Sequence, residues 1–114
     1  MVKKKKKWAK KVGKKISPTQ QEIPVAECRT LRRNPQLLSR AQMDSLKRSI
    51  KRDGFVAPIL VRPRRGYYEI VSGNHRFMAA AELDYKTVPA VVAKLNDKQA
   101  QRLAVNLNLI HGEP

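Results

Sequence analysis

Apolar positions repeat along this chain with two periods, and these periods separate strands from helices. Apolar runs of strand length lie at residues 21–28, 58–63, 66–71 and 87–95. Apolar residues at helical spacing lie at residues 41–53, 74–83 and 97–110. The pattern predicts the order β-α-β-β-α-β-α, which is typical of a small α+β domain built on a mixed sheet.

Local signals place the ends of the helices. Ser39 followed by Gln42 has the spacing of a capping box, so it predicts the start of the first helix. Gly54 is expected to end that helix. Asn96 and Gln99 repeat the capping pattern before the last helix.

The strands carry signals of their own. Ile23 and Val25 would share one face of the first strand, and Pro24 restricts that strand to an edge or a bulge. The runs PILVRP and GYYEIV predict an antiparallel hairpin with Gly66 in its turn. Cys28, near the end of the first strand, is expected to pack as a small hydrophobic residue.

The chain carries a net charge of +16, and this charge is unevenly distributed. Residues 1–20 contain nine lysines and no acidic residue, whereas residues 21–114 have a net charge of +7. Both parts are basic, so the expected partner is a polyanion, with nucleic acid favoured over an anionic membrane. We therefore divide the chain into a lysine-rich arm, residues 1–20, and a domain, residues 21–114.

The arm and the first helix supply the predicted nucleic-acid contacts. Adjacent lysines repel one another, so the arm is expected to be disordered when free. The first helix carries cations, including Arg40, on both sides of its apolar stripe. We interpret these cations as having no acidic residues to balance their charge. Unbalanced cations favour contact with phosphates over a solvated face. The predicted contact residues are Lys3, Lys4, Lys5, Lys6, Lys7, Lys10, Lys11, Lys14, Lys15, Lys47, Arg48, Lys51 and Arg52.

The strongest candidate site is the segment EIVSGNHRFMAAAEL, residues 69–83. A strand-like run ends at Ser72, and a helix starts at Asn74. Helix N-termini expose unpaired N–H groups and a partial positive charge, and Gly73 lets a ligand approach the main chain. Arg76 adds a planar fork that matches phosphate oxygens, and His75 adds a donor or a general base. Together with polar groups on Ser72 and Asn74, these residues predict a phosphate pocket; a purely structural turn is the alternative.

Three segments, in order, resemble the ParB/sulfiredoxin-like fold, specifically the N-terminal domain of ParB-type partition proteins and their phage and plasmid relatives. They are LKRSIKRDGFVAPILVR, YYEIVSGNHRFMAAAELDYKTVPAVV and RLAVNLNLIHGEP. The resemblance places Gly73 and Arg76 in a phosphate-binding turn, and adds Gly54, Pro58 and Asn108 as nucleotide-site positions. It implies a nucleotide cofactor, CTP or ATP with Mg²⁺.

Some positions depart from the family pattern. His75 stands where partition proteins usually have arginine, and Ala57 replaces a glutamine in the region that helps hold cytosine. Leu107 and His111 replace an acid and an arginine of the third helix, which argues against CTP hydrolysis. Asn74 stands where sulfiredoxins have a nucleophilic cysteine, so sulfinic-acid repair is not expected.

The sequence favours a binding module over an enzyme. We expect a ParB-like protein that binds nucleic acid, DNA in particular, largely without base readout, because no candidate recognition helix follows the core. A nuclease or a phosphoryl-transferring or NTP-hydrolysing enzyme with His75 as catalytic base is the alternative. No metal site is predicted, since Glu69 and Glu82 are interpreted as surface charges. The expected location is cytoplasmic or nucleoid-associated, without membrane association, and a homodimer is left open.

Overall fold

A computed structural model describes residues 18–30 and 38–111, with side chains as far as Val105. Within these ranges the chain forms five strands and three α-helices, which confirms the predicted α+β class. The predicted contacts of the arm, Lys3 to Lys15, lie outside the described residues. The elements are β1 (Thr19–Pro24), β2 (Cys28–Thr30), α1 (Arg40–Asp53), β3 (Ile59–Arg64), β4 (Tyr67–Ser72), α2 (Asn74–Glu82), β5 (Thr87–Val92) and α3 (Asp97–His111).

The strands form one mixed sheet in the order β1-β5-β3-β4-β2. β1 is antiparallel to β5, and β3 is antiparallel to β4, whereas β3 is parallel to β5 and β2 is parallel to β4. The predicted hairpin between β3 and β4 is therefore confirmed. Its turn contains Gly66 at a φ of +85°, a conformation that glycine adopts without steric strain.

The prediction of a single first strand at residues 21–28 is wrong, because the chain forms two strands there. β1 ends at Pro24, a 3-10 turn spans Val25–Glu27, and β2 begins at Cys28. Proline has no N–H to donate, so it is suited to the end of an edge strand. The turn leads the chain from one edge of the sheet to the other, and the Val25 N–H donates to the Lys86 carbonyl at 2.9 Å.

Both predicted capping boxes are confirmed. The Gln42 N–H donates to Ser39 Oγ at 3.1 Å, and the Ser39 N–H donates to Gln42 Oε1 at 3.0 Å. At α3 the Gln99 N–H donates to Asn96 Oδ1 at 2.8 Å, and the Asn96 N–H donates to Gln99 Oε1 at 3.0 Å. Gly54 ends α1 at a φ of +78°, as its position predicts.

The sheet is covered by helices on both faces. Ile70 of β4 belongs to the central cluster that includes Ala80 of α2, whereas its neighbour Val71 packs with Ala100 of α3. Successive strand residues point to opposite faces, so α2 and α3 pack on opposite sides of the sheet. On the outer side of α2, the predicted apolar stripe of α1 packs against this helix. The residues of that contact include Met43, Leu46, Ile50 and Ala79.

Cys28 packs in the central cluster, with 9% of its surface exposed. Burial raises the pKa of its thiol to about 11, and the Glu27 carboxylate adds to the rise. The thiol is therefore protonated at neutral pH, and the residue acts as the small hydrophobic group that the sequence predicts.

A buried ion pair links the hairpin to the start of α3. Arg62 Nε lies 2.6 Å from Glu69 Oε1, and both residues are buried, at 5% and 8% exposure. The Arg62 guanidinium also donates to the Leu95 carbonyl at 3.1 Å and lies 2.9 Å from Asp97 Oδ1. The interpretation of Glu69 as a surface charge is therefore wrong: β4 is covered on both faces, so an acid within it must be paired.

Candidate anion site at the start of helix α2

Gly73 joins β4 to α2 and is the N-cap of the helix, with a φ of +97°. A Cβ at this position would lie 2.7 Å from Ile59 Cγ2 and 2.9 Å from Arg76 Nη2. Both distances are shorter than real Cβ atoms tolerate. Two features therefore favour glycine here: the neighbouring side chains leave no room for a Cβ, and the backbone adopts a positive φ.

The backbone of α2 starts its hydrogen bonding directly at the turn. Phe77 N–H closes the first helical bond to the Gly73 carbonyl at 2.9 Å. One predicted role of Asn74, capping the helix, is wrong. Asn74 is the first helical residue, and the N-cap position has no side-chain hydrogen bond. Among the described residues, its Oδ1 atom is buried and has no hydrogen-bond partner.

His75 and Arg76 lie side by side at the first turn of α2. His75 is buried, at 5% exposure, and Arg76 is half-buried. Arg76 Nη2 lies 3.4 Å from the carbonyl oxygen of Pro58, a long hydrogen bond that connects the turn to the start of β3. The guanidinium is thus held between Gly73 and Pro58 and has a defined position in the site.

A groove of about 380 Å³ runs between α1 and the start of α2. His75 and Arg76 form one wall, and the residues of the other wall are Leu38, Gln42, Ser45, Leu46 and Ser49. Sequence reasoning missed the contribution of α1. Gln42, Ser45 and Ser49 repeat at helical spacing beside the apolar stripe, which is the signal that could have revealed a polar line facing a neighbour.

The groove combines the features of an anion site and of a site for an organic group. The guanidinium of Arg76 and the N-terminal dipole of α2 both favour negative charge. Leu38 and Leu46 offer apolar contact, while the hydroxyls of Ser45 and Ser49 offer hydrogen bonds in either direction. This arrangement suits a ligand with an anionic end and a larger polar-apolar body.

The structure brings together some of the predicted nucleotide-site residues and separates others. Ser72 is buried beneath the turn at 4% exposure and does not line the groove. Pro58 reaches the site through its carbonyl, and Gly54 lies at the exposed end of α1. The side chain of Asn108 lies outside the described residues, so its predicted role stays a prediction.

The interpretation of α1 as a helix without balancing acids is wrong. Glu82 of α2 accepts from Arg40 at 2.6 Å and from Lys47 at 3.2 Å. Arg40 also pairs with Asp44, and Arg52 pairs with Asp53. Glu82 is distant in sequence and gave no local signal, whereas Asp44 and Asp53 lie within α1 and were visible in its sequence.

Two of the predicted α1 cations keep their charge available. Arg48 and Lys51 form no ion pair within the described part of the chain, and both are exposed. Lys47 and Arg52 are engaged by the carboxylates of Glu82 and Asp53. The free basic surface of α1 is therefore smaller than the sequence predicts.

The two carboxylates nearest the turn in sequence both form ion pairs. Glu69 pairs with Arg62, and Glu82 pairs with Arg40 and Lys47. In residues 18–30 and 38–111, no group of three His, Cys, Asp or Glu side chains is placed to hold a metal ion. None of the helices in these ranges is long and apolar enough to cross a membrane.

Comparison with known proteins gives a consistent family signal. The sequence profile of the ParB N-terminal domain matches residues 6–109. A nucleoid occlusion protein of Bacillus cytotoxicus is 36% identical over 100 residues, which cover 86% of this chain and 34% of that protein. The chain thus spans about a third of the length of this curated relative.

Solved structures of other proteins share this fold. The C-terminally truncated chromosome-partitioning protein ParB of Caulobacter crescentus, complexed with CTP-γ-S, has a TM-score of 0.75 at 29% identity, over 84% of this chain and 56% of that chain. The same protein complexed to the centromeric parS site has a TM-score of 0.68 at 28% identity, over 82% and 49%. Sulfiredoxin of Arabidopsis thaliana has a TM-score of 0.59 at 26% identity, over 76% and 97%.

Proposed function

This chain belongs to the family of ParB N-terminal domains, and we propose that it binds the phosphates of a nucleotide at the Ser72–Arg76 turn. The observation that carries the proposal is the groove in which Arg76 and His75 meet the polar line of α1. Its volume of about 380 Å³ falls in the range of small-molecule sites. The anionic end of the ligand would lie at the start of α2.

Each part of the site has a distinct task in this proposal. Arg76 binds phosphate oxygens through its fork, and its contact with the Pro58 carbonyl fixes the direction of that fork. The side-chain NH₂ of Asn74 and the N-terminal dipole of α2 offer further contacts to the anion. His75 contributes a ring nitrogen on the groove wall, where it can donate to a phosphate.

The proposed ligand is a ribonucleoside triphosphate, with CTP as the first candidate and ATP as the second. The support for CTP is the Caulobacter crescentus ParB structure complexed with CTP-γ-S. A bound Mg²⁺ would neutralise part of the triphosphate charge, and we expect it to be held mainly by the phosphates themselves. The side chains of α1 would contact the sugar and base.

The second part of the proposal is nucleic-acid binding, largely without base readout. The net charge of +16 and the nine lysines of the arm supply the electrostatic attraction, and Arg48 and Lys51 add exposed cations on α1. DNA is the proposed partner because the Caulobacter crescentus relative was solved with a centromeric DNA site. The chain would then act in the cytoplasm, at the nucleoid. Whether it binds DNA as a homodimer is a separate question for experiment.

A nucleotide titration of the full chain tests this proposal. CTP, ATP, GTP and ADP are titrated calorimetrically with and without Mg²⁺, each in the presence and absence of duplex DNA. We expect saturable binding of at least one triphosphate, strongest for CTP and weaker for ADP because ADP carries one phosphate fewer. No binding of any nucleotide under these conditions would contradict the nucleotide part, and no retention of duplex DNA at low salt would contradict the nucleic-acid part.

A further inference from the structure

A second cavity, of about 370 Å³, lies at the end of the β3–β4 hairpin. β3 starts at Ile59, which packs beneath Gly73, and ends at Arg64 in the wall of this cavity. The strand therefore separates the hairpin end from the nucleotide groove by about 17 Å. The residues of the cavity wall are Glu27, Pro63, Arg64, Gly66, Tyr67 and Tyr68.

Tyr67 lies between arginines of the two neighbouring strands. Arg64 of β3 is its direct partner in the sheet register, so the two side chains share one face of the sheet. The guanidinium of Arg29 in β2 lies 5.3 Å from the centroid of the Tyr67 ring, which is a cation–π distance. This contact orders the Arg29 side chain in advance of any ligand.

Three arginines without an acid partner in the described part of the chain lie together at the hairpin end. Arg29, Arg64 and Arg65 are exposed and have no carboxylate partner among the described residues. Arg40, Arg52 and Arg62, by contrast, are each held by an acid. The hairpin end therefore presents three cations against the single acid Glu27 of the cavity wall.

We propose that this hairpin end binds single-stranded nucleic acid, with one base against Tyr67 and the flanking phosphates on Arg29, Arg64 and Arg65. The inference rests on the proposed nucleic-acid binding and adds a site to it. Bases of a single strand can stack on aromatic side chains while basic groups follow the backbone. In a duplex the base faces are stacked on each other and cannot enter such a cavity.

The chemistry of the cavity separates this partner from other polyanions. An acidic peptide would satisfy the arginines but offers no flat ring for Tyr67. Pro63 and Gly66 add no bulky polar side chain to the cavity wall. A nucleobase is flat, has a π-face whatever its identity, and carries a phosphate on each side, so it matches all of these features.

Fluorescence anisotropy with the full chain tests the proposal, using labelled oligothymidine and a labelled duplex of equal length. Tyr67→Leu removes the aromatic face and is expected to weaken oligothymidine binding by about fivefold or more, with duplex affinity unchanged. Tyr67→Phe keeps the face and is expected to bind like the wild type. Lys86→Gln, which removes one exposed cation elsewhere, controls for charge, and thermal melting confirms that each variant is folded.

Crosslinking gives a second readout that is independent of affinity. An oligonucleotide containing 5-iododeoxyuridine is irradiated with the wild-type chain, and crosslinked peptides are mapped by mass spectrometry. We expect attachment at Tyr67. Equal oligothymidine affinity for Tyr67→Leu and wild type, or crosslinks only outside the hairpin, would overturn the inference. Retention of duplex without any retention of oligothymidine would overturn it too, while leaving the proposed function standing.

Discussion

The guanidinium of Arg76 occupies the space that a side chain on Gly73 would need, with Nη2 only 2.9 Å from the Cβ position. The glycine and the arginine are therefore parts of one arrangement. Gly73 sets the backbone turn into α2 and, by lacking a Cβ, lets the guanidinium lie against the main chain beside the Pro58 carbonyl. A change at either position is expected to affect the other.

Gly73→Ala should reduce both stability and nucleotide affinity. The alanine Cβ would overlap Ile59 and displace Arg76, and the φ of +97° would be strained as well. Overpacking of this kind costs about 1–3 kcal/mol, and the left-handed backbone adds about 1 kcal/mol. Urea unfolding and nucleotide titration measure the two effects.

Gly66→Ala is the matched control for that variant. Gly66 has a similar φ of +85°, but nothing lies within 4 Å of its Cβ position. The Gly66→Ala variant should therefore lose only the part of the unfolding free energy that comes from backbone strain, about 1 kcal/mol, and keep its nucleotide affinity. Equal losses of unfolding free energy in the two variants would show that the close approach at Gly73 has no energetic consequence.

Glu69→Gln should destabilise the domain strongly, because it removes the negative charge that lies 2.6 Å from the buried guanidinium of Arg62. Removing one member of a buried ion pair costs about 3 kcal/mol or more. Glu22→Gln, on the exposed face of β1, is the control and should change the unfolding free energy little. The double variant Arg62→Met with Glu69→Leu should recover much of the lost unfolding free energy. If Glu69→Gln did not lower the urea midpoint, the buried ion pair would not stabilise the domain as described.

The link between α1 and α2 should weaken in acid. Hydrogen bonds from Arg40 and then Lys47 hold the pKa of Glu82 below its ordinary value of 4.5. A depressed folded-state pKa stabilises the protein above the unfolded value, and the contribution is lost as the pH falls through the folded value. The difference in melting temperature between wild type and Glu82→Gln should thus be present at neutral pH, begin to shrink as the pH falls below about 4.5, and vanish only below the lowered folded-state pKa. A difference that persists at lower pH would be inconsistent with this ion pair.

The sequence predicted most of the fold because the decisive signals are local. The capping residues Ser39 and Asn96, the hairpin glycine Gly66 and the two apolar periods all act over a few positions. The split of the first strand was missed, because which edge β2 joins depends on pairing with β4, far along the chain. Local patterns carry no information on such pairings.

The site was predicted in part for the same reason. The strand-to-helix turn with Gly73 and Arg76 is a local feature, and the structure places it beside a groove. The opposite wall, with Ser45 and Ser49, comes from the packing of α1 against α2, so the sequence of the turn could not reveal it. The buried state of Glu69 likewise depends on Arg62 across the hairpin and on α3 above it.

Deleting residues 1–16 should weaken nucleic-acid binding for all sequences alike. The deletion removes nine lysines from a chain of net charge +16 and leaves +7. On duplex DNA, each phosphate contact contributes about 0.9 to the slope of log affinity against log salt concentration. We expect the arm to neutralise about four to six phosphates, so its deletion should make this slope shallower by the corresponding amount. Nucleotide affinity should be unchanged. The same DNA affinity and salt slope with and without the arm would remove it from the mechanism.

Calorimetric titration of CTP into Arg76→Ala, with Arg65→Ala as control, tests the central claim most directly. Both variants lose one arginine, but Arg65 lies in the hairpin turn, at the far end of β3 from the groove. A charge-assisted hydrogen bond is worth about 1.5–3 kcal/mol, so Arg76→Ala should lose about tenfold to a hundredfold in affinity while melting as a folded domain. Arg65→Ala should bind like the wild type. A folded Arg76→Ala variant with unchanged CTP affinity would contradict the placement of nucleotide phosphates at this turn.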